Sequence, residues 1–196
     1  MLKLVKRITL ASLFGLTFLS LQGCLATAVV GGAAVVTKVA TDPRTAGRQL
    51  DDETLEEKVA YNLNKDQQLN SEARINVVSY NGKVLLIGQV PNDFSKDSAS
   101  SIATGVEGVS TVYNEVRIGP KIGVAQISKD SWITTKIKSK LFVNGSVKAT
   151  DVKVITENGE VFLMGNLSSS QADAAANVAR HVDGVVKVVK VFTYIQ

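Results

Sequence analysis

The side chain with the most reactive chemistry in this sequence is the thiol of Cys24, the only cysteine among the 196 residues. A lone cysteine has no partner for a disulfide within the chain, so the disulfide framework of many small secreted proteins is excluded. Cys24 follows Leu21, Gln22 and Gly23, which place an aliphatic residue three positions before the thiol and a glycine immediately before it. The sequence around Cys24 therefore decides which covalent chemistry its thiol undergoes.

The segment before Cys24 has the composition of a secretory signal peptide. Lys3, Lys6 and Arg7 make its start basic, and residues 8–19 are uncharged and apolar apart from a serine and two threonines. A membrane-spanning helix needs roughly 20 consecutive apolar residues, so this run is too short for a permanent anchor. We expect residues 1–23 to be a signal peptide.

Residues 21–24 resemble the lipobox of bacterial lipoproteins. In proteins with this motif the cysteine thiol receives a diacylglyceryl group, the chain is cleaved just before the cysteine, and the new amino group is acylated. Two or more acyl chains on one residue give stable anchoring. Leu25 follows the cysteine, whereas lipoproteins retained in the inner membrane typically have aspartate there. The resemblance thus implies lipidation at Cys24 and an outer-membrane location, anchored by lipid and facing the periplasm.

The segment after the lipobox, residues 24–45, is predicted to be a lipidated tether. Residues 25–40 are rich in Ala, Val and Gly, and Lys38 is their only charged residue. They either lie along the membrane beside the acyl chains or serve only as a connection.

Catalytic chemistry has little support in the remaining residues. His181 is the only histidine, and it has no second histidine, thiol or Gly-rich phosphate loop with which to form a triad or a metal site. The carboxylates are scattered, and their spacing does not indicate an acid/base pair. We expect no catalytic residues, no metal and no cofactor, so the protein is predicted not to be an enzyme.

An internal repeat defines the organisation of the chain. Residues 74–88 align with residues 151–165 without a gap, at an offset of 77. Leu55, Val59 and Leu63 recur every four residues, and their counterparts in the second copy are Ile133, Ile137 and Leu141. A duplication explains this pattern.

Each copy predicts the same order of elements. Apolar residues four apart indicate an amphipathic helix, and an Asn-Gly pair between two apolar runs is a strong signal for a two-residue hairpin. That pair is Asn81-Gly82 in the first copy and Asn158-Gly159 in the second. A second helix, at residues 95–104 and 171–180, and a last strand follow. The predicted fold is α+β: two tandem domains, each a small three-stranded mixed sheet packed by two helices in the order αββαβ. The first domain should span residues 46–119, the linker 120–128 and the second domain 129–196.

This order, with a hairpin that closes at a glycine and a Gly-Val before the last strand, resembles the BON domain of bacterial envelope proteins. The resemblance extends to residues 41–44, 132–136 and 157–165. It implies a protein that binds anionic phospholipid, supports outer-membrane integrity and gathers at the division site.

Charge separates the two copies. Without residues 1–23 the chain has 19 basic and 18 acidic residues, so the high isoelectric point of the whole sequence does not indicate nucleic acid as a partner. Residues 46–119 contain seven basic and eleven acidic residues, whereas residues 129–196 contain nine and six. The first copy is therefore acidic and the second basic, so the two copies present opposite net charge to a binding partner.

The first helix of the second copy contains the candidate lipid-binding residues. Trp132, which replaces Thr54 of the first copy, lies roughly 140° around the helix from the apolar stripe at 100° per residue. Tryptophan favours the membrane interface, and each lysine near an anionic surface contributes about 1 kcal/mol. We expect this helix to contact phosphatidylglycerol or cardiolipin through Trp132, Thr135, Lys136, Lys138, Ser139, Lys140 and Phe142. Alternatively, Trp132 packs against the linker or the other copy and the lysines are only solvated.

A second class of function stays open from sequence alone. The acidic first copy and exposed strand edges would suit a structural or interaction module that recruits an envelope protein, such as a cell-wall amidase regulator or assembly machinery. In addition, Leu85, Ile87, Phe162 and Met164 are predicted to face away from the helices and to pack the two copies together.

Overall fold

The computed structural model of the chain describes residues 43–195. The predicted signal peptide, Cys24 and residues 25–42 of the predicted tether lie outside the described residues. Among residues 43–195, no helix is both long and apolar enough to cross a membrane.

The first domain contains the predicted elements and one short helix that the sequence pattern did not indicate. The added helix is α2, whose N-terminus is capped by Asp66: the side chain of that residue accepts a hydrogen bond from the Leu69 N–H at 3.0 Å. The elements in chain order are α1 (Ala46–Lys65), α2 (Gln67–Glu72), β1 (Arg74–Tyr80), β2 (Lys83–Val90), α3 (Asp93–Thr104), β3 (Thr111–Asn114) and β4 (Arg117–Ile118).

The second domain repeats this order with a longer first helix. Its elements are α4 (Val124–Asn144), a 3-10 turn (Ala149–Asp151), β5 (Lys153–Glu157), β6 (Glu160–Leu167), α5 (Ser169–Arg180) and β7 (Lys187–Tyr194). Helix α4 begins at Val124, so residues 124–128 of the predicted linker are helical. The reason is that no glycine or proline follows Gly123 within these turns, and the Gln126 amide donates to Asp130 at 2.8 Å.

The two sheets have the same mixed topology. In the first domain β2 lies between β1, which is antiparallel to it, and β3 and β4, which are parallel to it. In the second domain β6 lies between antiparallel β5 and parallel β7. The predicted α+β fold and mixed sheet are confirmed, except that the last strand of the first domain is split at residues 115–116.

The two hairpins need glycine at two kinds of position. In both turns the Asn-Gly pair has positive φ, 53° and 76° at Asn81 and Gly82, which glycine and asparagine adopt with little strain. Later in β2, Gly88 has φ 129°, and a Cβ there would overlap the carbonyl oxygen of Arg74. A Cβ at Gly165 would likewise overlap the carbonyl oxygen of Asp151. The glycine that closes each hairpin is therefore required by the close approach of the neighbouring backbone.

Helices cover one face of each sheet and form a separate core in each domain. In the second domain Ile133, Ile137 and Leu141 of α4 pack against Val161 and Leu163 of β6, all fully buried. In the first domain the matching stripe of α1 packs against Val84 and Leu86. Full burial of such an aliphatic side chain contributes about 1.5–3 kcal/mol, so each core fixes the orientation of its first helix.

The opposite faces of the two sheets pack against each other. Leu85 and Ile87 of β2 and Phe162 and Met164 of β6 form one buried apolar cluster, which confirms the predicted packing between the copies. Val78, Tyr80 and Val191 complete this interdomain cluster. The two domains are therefore joined through their sheets, with the helices on the outside.

Polar side chains border the interdomain cluster. The buried carboxylate of Glu157 accepts hydrogen bonds from Arg74, from Asn76 at 3.1 Å and from Gln89 at 2.7 Å. Glu160, also in the second domain, accepts two hydrogen bonds of 2.9 and 2.6 Å from Arg117 of the first. These contacts hold the pKa of Glu160 below its ordinary value, because the Arg117 hydrogen bond stabilises the carboxylate.

Candidate lipid-binding helix

Helix α4 has one buried and one exposed side. Its buried side carries Ile133, Ile137 and Leu141, each without solvent exposure. At 100° per residue, the side opposite this stripe contains Trp132, Thr135 and Ser139. The domain core thus directs the remaining face of α4 towards solvent.

Trp132 is 49% exposed at the surface of α4. The ammonium group of Lys136 lies 5.2 Å from the centre of the indole ring, within the range of a cation–π contact. In the alternative that the sequence left open, the linker or the other domain would bury the indole. The exposed half of the ring is instead available to an external surface.

All seven predicted lipid-binding residues are exposed along α4. Besides Trp132, the exposed set is Thr135, Lys136, Lys138, Ser139, Lys140 and Phe142. The Thr135 hydroxyl donates to the Ser131 carbonyl at 2.9 Å, so it is partly engaged with its own helix. The structure exposes all of these side chains on α4, with Lys138 and Lys140 on opposite flanks of the helix at 100° per residue, and their contact with lipid remains a prediction.

The same surface includes an apolar residue that the sequence reasoning missed. Val143 is 80% exposed and directly follows Phe142, which is 81% exposed. Val143 comes three helical turns after Trp132, so both lie on the same side of α4. Val143 was not predicted from the sequence because this residue is not part of the apolar stripe that recurs every four residues. The only signal for it in the sequence is its spacing of three helical turns from Trp132.

The equivalent helix of the first domain has a different outer face. Leu50 and Tyr61 are 65% and 64% exposed on α1, and Glu53 and Glu57 are exposed beside them. The ring of Tyr61 contacts Lys65, whose ammonium group is 4.3 Å from the ring centre. The two first helices therefore combine exposed apolar side chains with opposite charge, acidic on α1 and basic on α4.

His181, which the sequence analysis did not predict to be catalytic or metal-binding, lies at the end of α5. It is exposed, and its Nδ1 is 2.7 Å from the Asn177 carbonyl oxygen. In the part of the chain that the structure describes, no group of three or more His, Cys, Asp or Glu side chains is arranged to hold a metal ion. The histidine is thus engaged with its own helix end.

The sequence of this chain is similar to those of several known bacterial proteins. The model of the BON domain matches residues 51–120 and again residues 129–196. The chain is 64% identical over 186 residues to the outer membrane lipoprotein DolP of Haemophilus influenzae, covering 95% of each chain. It is 69% identical over 155 residues to the 21 kDa hemolysin of Actinobacillus pleuropneumoniae, covering 79% of this chain and 80% of that one. The osmotically-inducible protein Y of Escherichia coli is 33% identical over 154 residues, or 77% of this chain and 76% of that one.

Proposed function

The chain belongs to the family of BON-domain proteins, and from this premise we propose that it is an outer-membrane lipoprotein that binds anionic phospholipids through α4. In this proposal it supports the integrity of the outer membrane at the division site. Two findings support the location: the lipobox-like residues 21–24 and a 64% identical relative whose name includes outer membrane lipoprotein. The anchor would be Cys24, with the described domains facing the periplasm.

The observation that carries the lipid-binding proposal is the exposed face of α4. A half-exposed indole lies beside a lysine and between further lysines on one helix. An indole at headgroup depth keeps its ring in the interface, while lysines meet lipid phosphates. Phosphatidylglycerol and cardiolipin supply such phosphates with net negative charge, and a zwitterionic surface does not attract the lysines in this way.

Vesicle co-sedimentation tests this proposal by comparing the wild type with a variant that has a negative charge on the exposed face of α4. The soluble form, residues 25–196, is expected to bind vesicles that contain phosphatidylglycerol and not purely phosphatidylcholine vesicles. Trp132→Glu should lower the bound fraction at least tenfold, because a carboxylate replaces the interfacial ring and repels the anionic surface. In the wild type, Trp132 emission should shift to shorter wavelength on binding.

The matched control is Tyr61→Glu, which changes an exposed aromatic residue on α1. Its acidic surroundings predict little lipid contact for residues 54–62, so vesicle binding should stay within twofold of the wild type. Circular dichroism checks that both variants remain folded. Equal binding by Trp132→Glu and the wild type, or no selectivity for anionic vesicles, would contradict the proposal.

A second candidate function rests on the acidic outer face of α1. Leu50 and Tyr61 together with Glu53 and Glu57 form a surface that suits a basic protein partner. The protein would then act as an interaction module that recruits an envelope protein, for example a cell-wall amidase regulator or assembly machinery. Loss of cellular function in Tyr61→Glu with intact vesicle binding would favour this alternative.

A further inference from the structure

The outer edge of β7 is an open strand edge. Strand β7 pairs with β6 over all eight of its residues, Lys187–Tyr194, and no other strand among residues 43–195 pairs with its opposite side. The Ile195 N–H donates to the Leu167 carbonyl at 3.0 Å, which continues this ladder. In a parallel ladder alternate residues bond to the neighbour, so the even-numbered residues from Val188 to Tyr194 direct their backbone N–H and C=O groups outwards.

The corresponding edge of the first domain is short and interrupted. Strand β3 ends at Asn114 and β4 begins at Arg117, so the edge is broken at residues 115–116. The Asn114 side chain donates to the Lys96 carbonyl of α3 at 2.8 Å, which ties the strand to the helix beside it. Short strands and breaks are common protections of an exposed edge. The two copies therefore differ: the first protects its edge, and the second offers a continuous one.

A groove follows this open edge between α5 and β7. Its volume is about 640 Å³, and its apolar lining includes Ala176, Val186 and Val188. Val186, just before β7, is 80% exposed. A strand edge next to an apolar groove has the two parts used in peptide recognition by strand addition, because the backbone supplies affinity and the groove receives side chains.

The groove is basic, whereas its counterpart in the first domain is not. Arg180, Lys187 and Lys190 line it, and the corresponding residues of the first copy are uncharged: Thr104, Thr111 and Asn114. Two acids lie near these cations. Asp173 binds Lys190 at 2.9 Å, and Glu160 is 3.9 Å from Lys187 but is already bound by Arg117. Positive charge therefore remains in excess along the edge.

We propose that the outer edge of β7 binds an extended acidic segment of a partner protein, which adds as a further strand to the second sheet. Apolar side chains of that segment would enter the groove, and its carboxylates would meet Arg180, Lys187 and Lys190. A second copy of this chain is the poorer occupant, because Lys187 and Lys190 of two paired β7 strands would repel each other. The inference is independent of lipid binding, since it uses neither Trp132 nor the exposed face of α4.

Peptide binding to the whole chain, purified in a zwitterionic detergent, tests this inference. The probe is a fluorescent octapeptide of alternating Glu and Val, compared by anisotropy with an octapeptide of alternating Lys and Val. The acidic probe should bind and the basic one should not. The double variant Arg180→Glu with Lys190→Glu should weaken binding at least tenfold, whereas Thr104→Glu with Thr111→Glu, at two of the first-domain counterparts, should change it less than twofold.

A proline substitution separates strand addition from simple charge attraction. Lys190→Pro removes an outward N–H and leaves the ladder to β6 intact, and proline is tolerated at such edge positions. Compared with Lys190→Gln, which removes only the charge, Lys190→Pro should weaken binding at least a further fivefold. Circular dichroism confirms that each variant is folded.

Hydrogen–deuterium exchange on the same complex locates the peptide. Bound peptide should slow amide exchange in β7 and leave β3 unchanged. The inference is overturned by absence of binding at millimolar peptide, by equal binding of the proline and glutamine variants, or by protection on α4 instead of β7. It is also overturned if phosphatidylglycerol vesicles, and not the peptide, protect β7, because the groove would then be a membrane contact. Trp132→Glu should not affect peptide binding, so failure here and failure of lipid binding are distinguishable.

Discussion

Two buried aspartates hold the hairpin turns of their own domains. Asp52 accepts hydrogen bonds from the N–H groups of Asn81 at 2.8 Å and Gly82 at 2.9 Å, and Asp130 accepts from the same turn positions in the second domain, at 2.7 and 2.9 Å. Both copies have aspartate in the second turn of the first helix, but their sequence gives no sign that it reaches a hairpin turn about 30 residues later along the chain. This pairing of helix and hairpin was therefore not predicted.

The ionised form of Asp52 is favoured in the folded protein. Burial opposes ionisation, but hydrogen bonds from Gly82, Ser79, Asn81 and Arg44 outweigh it and hold the pKa of Asp52 below its ordinary value. A carboxyl whose pKa is lowered by folding stabilises the protein above its unfolded-state pKa of about 3.9. This stabilisation is lost as the pH falls through the lower folded-state pKa.

Replacing Asp52 by asparagine tests this role. We expect Asp52→Asn to lower the free energy of unfolding by about 2 kcal/mol at neutral pH, because charge-assisted hydrogen bonds to the turn are lost. The difference from the wild type should start to shrink below about pH 4, where the carboxyl becomes protonated in the unfolded wild type, and should be lost as the pH falls through the lower pKa of the folded state. Urea unfolding at a series of pH values measures both effects. The exposed neighbour Asp51→Asn is the control, and an equal loss in that variant would refute the assignment.

At the scale of elements, the repeat predicted most of the fold. Leu55, Val59 and Leu63 predicted α1 because they recur every four residues, and the Asn-Gly pairs predicted both hairpins. Helix α2 was missed because six residues are too few to show a helical period. The first turns of α4 were missed because Val124 and Ile127 correspond to Ala46 and Gln49 in the first copy, so no shared apolar pattern marks these turns.

The candidate lipid-binding face was also largely predictable from the comparison of the two repeat copies. Trp132 was found because the first copy has Thr54 at its position, which shows that the core does not require the ring. The groove beside β7 was not predictable, because it depends on which strand ends up at the edge and on a break at residues 115–116 in the other copy. Neither the strand order nor that break leaves a signal in the local residue pattern.

The lysines of α4 should contribute to membrane binding as a group. Substitution of Lys136, Lys138 and Lys140 by glutamine removes three charges, each worth about 1 kcal/mol near an anionic surface, so affinity should fall roughly 100-fold. Binding of the wild type should also weaken as salt is raised, because exposed charges are screened. Vesicle titration at several phosphatidylglycerol fractions measures both trends. Lys58→Gln with Lys65→Gln on α1 is the control; a matching loss there, or no loss on α4, would argue against this surface.

At the scale of the whole molecule, three carboxylates form ion pairs between the two domains, and the most buried of them is that of Glu157. Glu157 of the second domain is 6% exposed and binds Arg74, Asn76 and Gln89 of the first. Gln89 also accepts from the Ile122 N–H at 3.2 Å, so the segment before α4 joins the same network. Removal of one partner from a buried ion pair costs several kcal/mol, because the remaining charge stays buried.

Glu157→Ala is therefore expected to weaken the contact between the domains. The free energy of unfolding should fall by about 3 kcal/mol, and the two domains should no longer unfold together. Trp132 is the only tryptophan, so its fluorescence reports the second domain, whereas far-UV circular dichroism reports both. The two transitions should coincide in the wild type and in the exposed control Glu107→Ala, and separate in Glu157→Ala. Coincident transitions at an unchanged midpoint would show that Glu157 does not couple the domains.

The sheet-to-sheet contact has a consequence for a single repeat standing alone. Leu85 and Ile87 occupy the same repeat positions as Phe162 and Met164, so each domain contributes the same patch to the interdomain cluster. A single repeat would expose this apolar patch to solvent. Formation of a symmetric homodimer is the most direct way to bury the patch. Fusion of two repeats in one polypeptide replaces that encounter by an intramolecular one, whose effective concentration is set by the linker and not by expression level. The contact therefore survives dilution, and the two halves no longer need identical outer surfaces.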